Sequence, residues 1–209
     1  TDEAQTSPSP MLQVLYPHGN EKLEEGSTYT ITWRSSGITN PSTVDIDLMQ
    51  GSTVILSIVT GTANDGAHSW TIPTTGIDLD EYYEIRISSV EQPSAVGVSY
   101  ASFQISNDGT DFYINDDSTT GDQYTSAVGN NTNSGKNEDT PMRTLAALVD
   151  AYRPTAGDTI YVDDGTYRIY RAVILQLQSS GVQIIGPTDT GTEALHGGFA
   201  QEQRDRVMK

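Results

Sequence analysis

The chain has 209 residues, 28 Asp+Glu against 11 Lys+Arg, three His, no Cys and a formal net charge of −17. That balance excludes a generic nucleic-acid binder, which needs a basic surface to displace counterions from phosphate. The lack of thiols excludes a disulfide-stapled or zinc-thiolate protein, and no apolar run approaches the roughly 20 residues that span a bilayer.

The first ten residues, TDEAQTSPSP, are polar, carry no apolar signal core and read as a flexible segment, 1–10. From Leu12 to Ile105 the apolar residues recur with period two. Leu12, Val14 and Tyr16 lead. Tyr29, Ile31 and Trp33 follow, then Val44, Ile46 and Leu48, Val54, Leu56 and Ile58, Trp70 and Ile72, Tyr83, Ile85 and Ile87, and Phe103 and Ile105. Alternation of this kind marks strands with one buried face. Turn signals separate them: His18-Gly19-Asn20, Glu25-Gly26, Asn40-Pro41, Gln50-Gly51, Asn64-Asp65-Gly66, Thr75-Gly76 and Gln92-Pro93. Seven short strands so spaced predict an immunoglobulin/fibronectin-like antiparallel β-sandwich over 11–106. Trp33 and Trp70 share the parity of the buried set and belong to its core. Tyr82 has the opposite parity to Tyr83, and with Tyr100 it is the candidate for stacking on a sugar ring.

Asn107 to Asp111 (NDGTD) reads as a linker, 107–111. The next stretch, to Asp139, is rich in Asp, Asn, Thr, Ser and Gly, which predicts one short strand at Phe112–Ile114 and then a long loop. Thr140 and Pro141 predict a helix start as N-cap and first helical residue. Leu145, Leu148, Val149 and Tyr152 form its apolar stripe, and Pro154 and Gly157 its end. Strands return at Thr159–Val162, Arg171–Leu177 and Val182–Ile185. Ile160 and Val162 recur 22 residues later as Val182 and Ile184, the length of one turn of a parallel β-helix. The amphipathic helix just before the first coil suits the role of a cover for the open end. The expected fold class is therefore mainly β: a sandwich followed by a helix-capped, truncated parallel β-helix, with its cap and first coils at 112–190 and an irregular tail at 191–209.

Two stretches resemble known families. Tyr16-Pro17-His18-Gly19, Tyr29-Thr30-Ile31-Thr32-Trp33, Val44-Asp45-Ile46-Asp47-Leu48, Asn64-Asp65-Gly66 with Trp70-Thr71-Ile72-Pro73, Tyr83-Glu84-Ile85-Arg86-Ile87 and Ser102-Phe103-Gln104-Ile105 make Leu12–Ser106 resemble the Ser/Thr-rich, GPI-anchored cell-wall domain family named from fungal cell-wall synthesis proteins. That resemblance implies a β-sandwich with no catalytic residues to transfer. Asn133-Ser134-Gly135-Lys136, Leu145-Ala146-Ala147-Leu148, Gly157-Asp158-Thr159-Ile160-Tyr161-Val162, Gly165-Thr166-Tyr167 and Gly181-Val182-Gln183-Ile184-Ile185-Gly186 make the second half resemble the start of a pectate-lyase-like right-handed parallel β-helix. It implies polysaccharide lyases, hydrolases, epimerases or non-catalytic adhesins, with catalytic groups on later coils, and so a piece of a longer protein.

Asp116, Asp117 and Asp122, beside Asn115, are the candidate calcium ligands, because calcium takes six to eight oxygens from such loops. The alternative is a solvated acidic loop. Asp163 and Asp164 point to opposite faces and cannot act together as the acid and base of glycoside cleavage; Arg168 and Arg171 are expected to pair with them. His18, His68 and His196 lack the spacing of a zinc site and read as ordinary turn or surface residues. Asn130-Asn131-Thr132 is a glycosylation sequon. Residues 1–106 hold 13 acids and 3 bases, and residues 107–209 hold 15 and 8, so polyuronate is repelled by this surface unless calcium bridges it or a local basic patch intervenes. The expected function is a secreted or cell-surface, polysaccharide-associated module without catalytic residues of its own, whose partner is a polysaccharide or cell-wall component. The alternatives are a lyase or epimerase completed beyond this chain, and a purely structural spacer.

Overall fold

Nine strands, most of them alternating apolar and polar residues, lie in the first 106 positions of the computed structural model, which describes residues 9–39 and 42–188. The segment 1–8, the Asn40-Pro41 turn, His196 and the tail lie outside the described residues. The chain divides into two units, one ending at Asp108 and the other starting at Gly109.

In the first unit, β1 (Met11–Tyr16), β3 (Thr28–Ser36) and β6 (Ala67–Thr71) form one antiparallel sheet. The other sheet runs β2 (Lys22–Glu24), β9 (Phe103–Ser106), β7 (Tyr82–Ser89), β4 (Thr43–Gln50) and β5 (Thr53–Ala63), with β8 (Val96–Val98) also on β7. Leu12, Val14, Ile31, Trp33, Ile46, Leu48, Ile85, Ile87 and Phe103 fill the space between. This is the Ig/FnIII-like sandwich, with Trp33 and Trp70 in its core. Gln50 pairs with Thr53, so Gly51 and Ser52 alone turn the hairpin, and Gly51 supplies the positive φ of 58° that such a turn requires. Two strands escape the period-two reading, β2 and β8, because three residues are too few to show alternation. The sandwich is also not wholly antiparallel, since β2 pairs parallel with β9.

Tyr83 pins the crossing into β7. It is 1% exposed, and its hydroxyl donates to the Asp78 carbonyl at 2.8 Å, the arrangement known in immunoglobulin-type sandwiches as a tyrosine corner. Burial raises the Tyr83 phenol above its ordinary range. Tyr83→Phe keeps the ring and orphans the carbonyl. The expected cost is about 1–2 kcal/mol in urea denaturation with an unchanged m-value.

The second unit holds a three-stranded parallel sheet: β10 (Asp111–Ile114), β11 (Thr159–Val162) and β12 (Gln183–Ile185). Phe112 pairs with Ile160, and Ile160 with Ile184. The in-register spacing from β11 to β12 is therefore 24 residues rather than 22. The strand expected at Arg171–Leu177 is absent; a 3₁₀ turn occupies Leu177–Ser179, and it delays the return of the chain to the sheet. Among the described residues no second parallel sheet accompanies this one, so the observed architecture is a small parallel sheet and not a demonstrated β-helix.

The helix α1 (Leu145–Tyr152) starts later than its sequence signals imply. Thr144 is the N-cap, with Oγ1 accepting from Ala147 N at 3.3 Å, while Thr140-Pro141 stays in the loop. The reason is tertiary: the segment after Gly135 is already committed to the edge of β10. Tyr113 N donates to Gly135 O, Met142 N to Tyr113 O, and Asn115 N to Met142 O. Two coverings thus replace the single expected cap. The 135–142 segment satisfies the backbone edge, and Leu148 with Met142 closes the apolar end against Phe112, Ile114 and Ile160.

Candidate functional site

In the sandwich, the segment after β1 and the segment between β8 and β9 are tied together. Ala101 N donates to His18 O at 3.0 Å, Asn20 N to Ser102 O at 2.8 Å, and Ser99 Oγ to Pro17 O at 2.9 Å. The Glu21 carboxylate accepts from His18 N and Gly19 N. Gly19 is required here, because a Cβ would lie 2.4 Å from the Ala101 Cβ and its φ is 134°. The result is an exposed aromatic pair. Tyr100, 84% exposed, stacks on His18 with ring centroids 5.1 Å apart and planes 13° from parallel. Tyr82, 45% exposed, sits at the start of β7 opposite Gln104. His18 is the member that sequence reasoning missed, since no periodicity links positions so far apart.

In the second unit the carboxylates are used from within. Asp163 is 2% exposed. Its Oδ1 accepts from Gln123 N and Asp164 N, and its Oδ2 from Tyr124 N, Thr125 N and Thr125 Oγ1, at 2.7–2.9 Å. Burial pushes this carboxyl up, but the bonds from Gln123, Tyr124, Thr125 and Asp164 outweigh it and hold it below the ordinary range. Asp116 turns its own loop through Ser118 N and reaches Thr166 N with the other oxygen. Asn115 is fully buried and donates to the Ser118 and Ala127 carbonyls and to Asp122. Asp122 is the strained member. Its Oδ1 is buried without a partner, and its carboxyl is raised first by burial and then, against the Asn115 bond, by the charge on Asp163.

The three aspartates expected to share calcium do not converge. Asp117 is exposed and pairs with Arg143 at 2.9 Å through Oδ2, each Asp116 oxygen accepts one backbone N–H, and Asp122 Oδ1 is buried without a partner. Among the described residues no three His, Cys, Asp or Glu side chains are arranged to hold a metal ion. As placed, these three side chains do not make a calcium site, because Asp116 is turned to loop N–H groups and Asp117 to Arg143. Asp163 is buried and Asp164 exposed, which keeps them on separate faces. Arg171, expected to pair with one of them, pairs with Asp150 on α1 instead.

Lys136, part of the Asn-Ser-Gly-Lys stretch, is 5% exposed, with Nζ 3.8 Å from the Phe112 ring centroid and 4.9 Å from that of Tyr152. It donates to the Gly109 carbonyl. A lysine in the primary sequence reads as surface; here a carbonyl and two aromatic faces replace its water.

Residues 16–105 match the model of the Kre9/KNH-like N-terminal Ig-like domain family. No curated protein matches the chain. Similar solved structures include the fibronectin(III)-like modules of Clostridium thermocellum CbhA, at 16% identity, covering 46% of this chain and 96% of that one with a TM-score of 0.30. A chimeric titin Z1Z2 functionalized with a KLER exogenous peptide from decorin gives 20% identity, 46% and 95% coverage and a TM-score of 0.31. Human titin ZIg10 gives 11%, 50%, 83% and 0.27. Residues 16–105 are thus similar to the Kre9/KNH-like N-terminal Ig-like domain family, the resemblance that the order of the tyrosine, tryptophan and Asn-Asp-Gly stretches carries.

Proposed function

We propose that the chain is part of a secreted or cell-surface protein that associates with wall polysaccharide. In this reading the sandwich is a non-catalytic adhesion module, and the parallel-strand unit is the capped start of a β-helix. The match of residues 16–105 to a cell-wall-related domain family carries the first half of the reading. The in-register stacking of Phe112 on Ile160 on Ile184, with the β10 edge already covered by the 135–142 segment, supports the second. The non-catalytic assignment rests on the carboxylates. Asp163 is buried and accepts from five donors, and each Asp116 oxygen accepts a loop N–H, which supports a structural role for both.

The full chain is expected to co-sediment with at least one insoluble wall polysaccharide. It is expected to release neither reducing ends nor unsaturated uronates from soluble polymers. Retention of no polysaccharide would favour the spacer reading, and release of unsaturated uronate would favour a lyase.

A further inference from the structure

The stacked pair His18–Tyr100 is the most exposed pre-arranged aromatic feature among the described residues. We propose that it is a docking platform for the pyranose ring of a neutral polysaccharide, an inference that rests on the adhesion reading above and assigns its site and ligand class.

Three observations carry it. First, the Tyr100 ring is packed on a neighbour rather than isolated. His18 covers one face at 5.1 Å, and the backbones on either side are bonded to each other through Ala101 N to His18 O and Asn20 N to Ser102 O. Such stacking lowers the cost of ordering a ring that binds. Second, Tyr100 is 84% exposed despite this ordering. An aromatic surface gains nothing from being ordered in water, whereas a rigid ring with a polar tip suits a ligand with an apolar C–H face and a rim of hydroxyls. Third, the surroundings select against polyanions. The first unit, ending at Asp108, holds 14 acids and 3 bases. Each of those bases is already engaged: Lys22 with Gln104, Arg34 with Gln13, and Arg86 with Asp47. Three bases against this excess of acids leave little charge to neutralise a uronate, so an uncharged sugar is the ligand this surface favours. Tyr82 offers a further exposed ring at the start of β7.

The test uses the full chain in affinity electrophoresis and calorimetry with soluble β-1,3-glucan, glucomannan and galactomannan. Polygalacturonate, with and without a chelator, is the charged comparison. Wild type is expected to bind at least one neutral polymer and not polygalacturonate. Tyr100→Ala is expected to weaken that binding about tenfold or more, Tyr100→Phe to retain it within about twofold, and His18→Ala to weaken it about threefold by loosening the ring. Because both rings are exposed, the variants should unfold at the wild-type temperature, which separates lost binding from lost structure. If wild type binds a neutral polymer and Tyr100→Ala binds equally well, the platform is wrong while the adhesion reading stands. If wild type binds no polymer, both fall. Preference for polygalacturonate overturns the neutral-ligand assignment.

Discussion

Asp163→Asn is expected to destabilise the second unit by about 2–4 kcal/mol, although position 163 lies in no regular element. The wild-type carboxylate collects Gln123 N, Tyr124 N, Thr125 N, Asp164 N and the Thr125 hydroxyl. An amide turns one acceptor oxygen into a donor, which then faces N–H groups. Several buried donors lose their partner at once, and each one left unmade costs about 1–3 kcal/mol before the loop relaxes. Chemical denaturation reads the loss, and hydrogen exchange at Gln123–Thr125 locates it; exchange unchanged from wild type would disprove the clamp. The pH dependence follows from the downward shift of Asp163. A carboxyl held lower in the folded state contributes fully above its unfolded value of about 3.9, and the contribution is lost as pH falls through the folded value. Asp163→Asn should therefore flatten the acid limb of the stability curve below about pH 4. Asp122 acts with the opposite sign, since its raised carboxyl binds protons more readily folded than unfolded. Its contribution favours the folded state below its unfolded value and is lost as pH rises through the folded one.

The second large effect is expected at a residue with no functional group. A Cβ at Gly129 would lie 1.8 Å from the Asn115 carbonyl oxygen and 2.8 Å from the Arg143 Cα. Both obstacles are backbone, so no rotamer change makes room. One of them belongs to Asn115, whose side chain also braces Asp122 and Ala127. Gly129 N further donates to Asp116 O at 2.7 Å, a bond that any shift of the segment breaks. Gly129→Ala is expected to cost at least about 3 kcal/mol or to prevent this unit from folding, read as a lowered midpoint in thermal unfolding. Gly186 is the control in the same unit. Nothing lies within 4 Å of a Cβ built there, and Gly186→Ala should leave the midpoint unchanged. Equal effects at the two positions would show that close approach is not what Gly129 provides.

The sandwich was largely legible because its period-two alternation is long and regular. Val44, Ile46 and Leu48, like Tyr83, Ile85 and Ile87, are all buried in the structure, and their parity alone places them inside. The second unit was legible only in its strands. Thr140-Pro141 carries a sound N-terminal signal, yet Thr144 caps the helix. A local preference of about 1 kcal/mol yields when the same segment must satisfy the open edge of β10. The aspartates misled for a related reason. Composition shows many oxygens in one loop, but it does not show whether those oxygens face inward to N–H groups or outward to an ion. Asp117 faces out and meets Arg143, whereas Asp116 faces in.

The amino-acid sequence by itself determined the β class, the sandwich with its tyrosine- and tryptophan-bearing strands, the acidic surface and the short parallel strands of the second half. These follow from local periodicity and from counts, which need no knowledge of what lies across the fold. The tertiary structure alone decided that His18 stands beneath Tyr100, that Asp163 holds a loop 40 residues away in the chain, and that Lys136 is buried over Phe112. Each of these is a pairing of distant residues. Its free energy depends on desolvation and geometry that exist only after the chain has closed on itself.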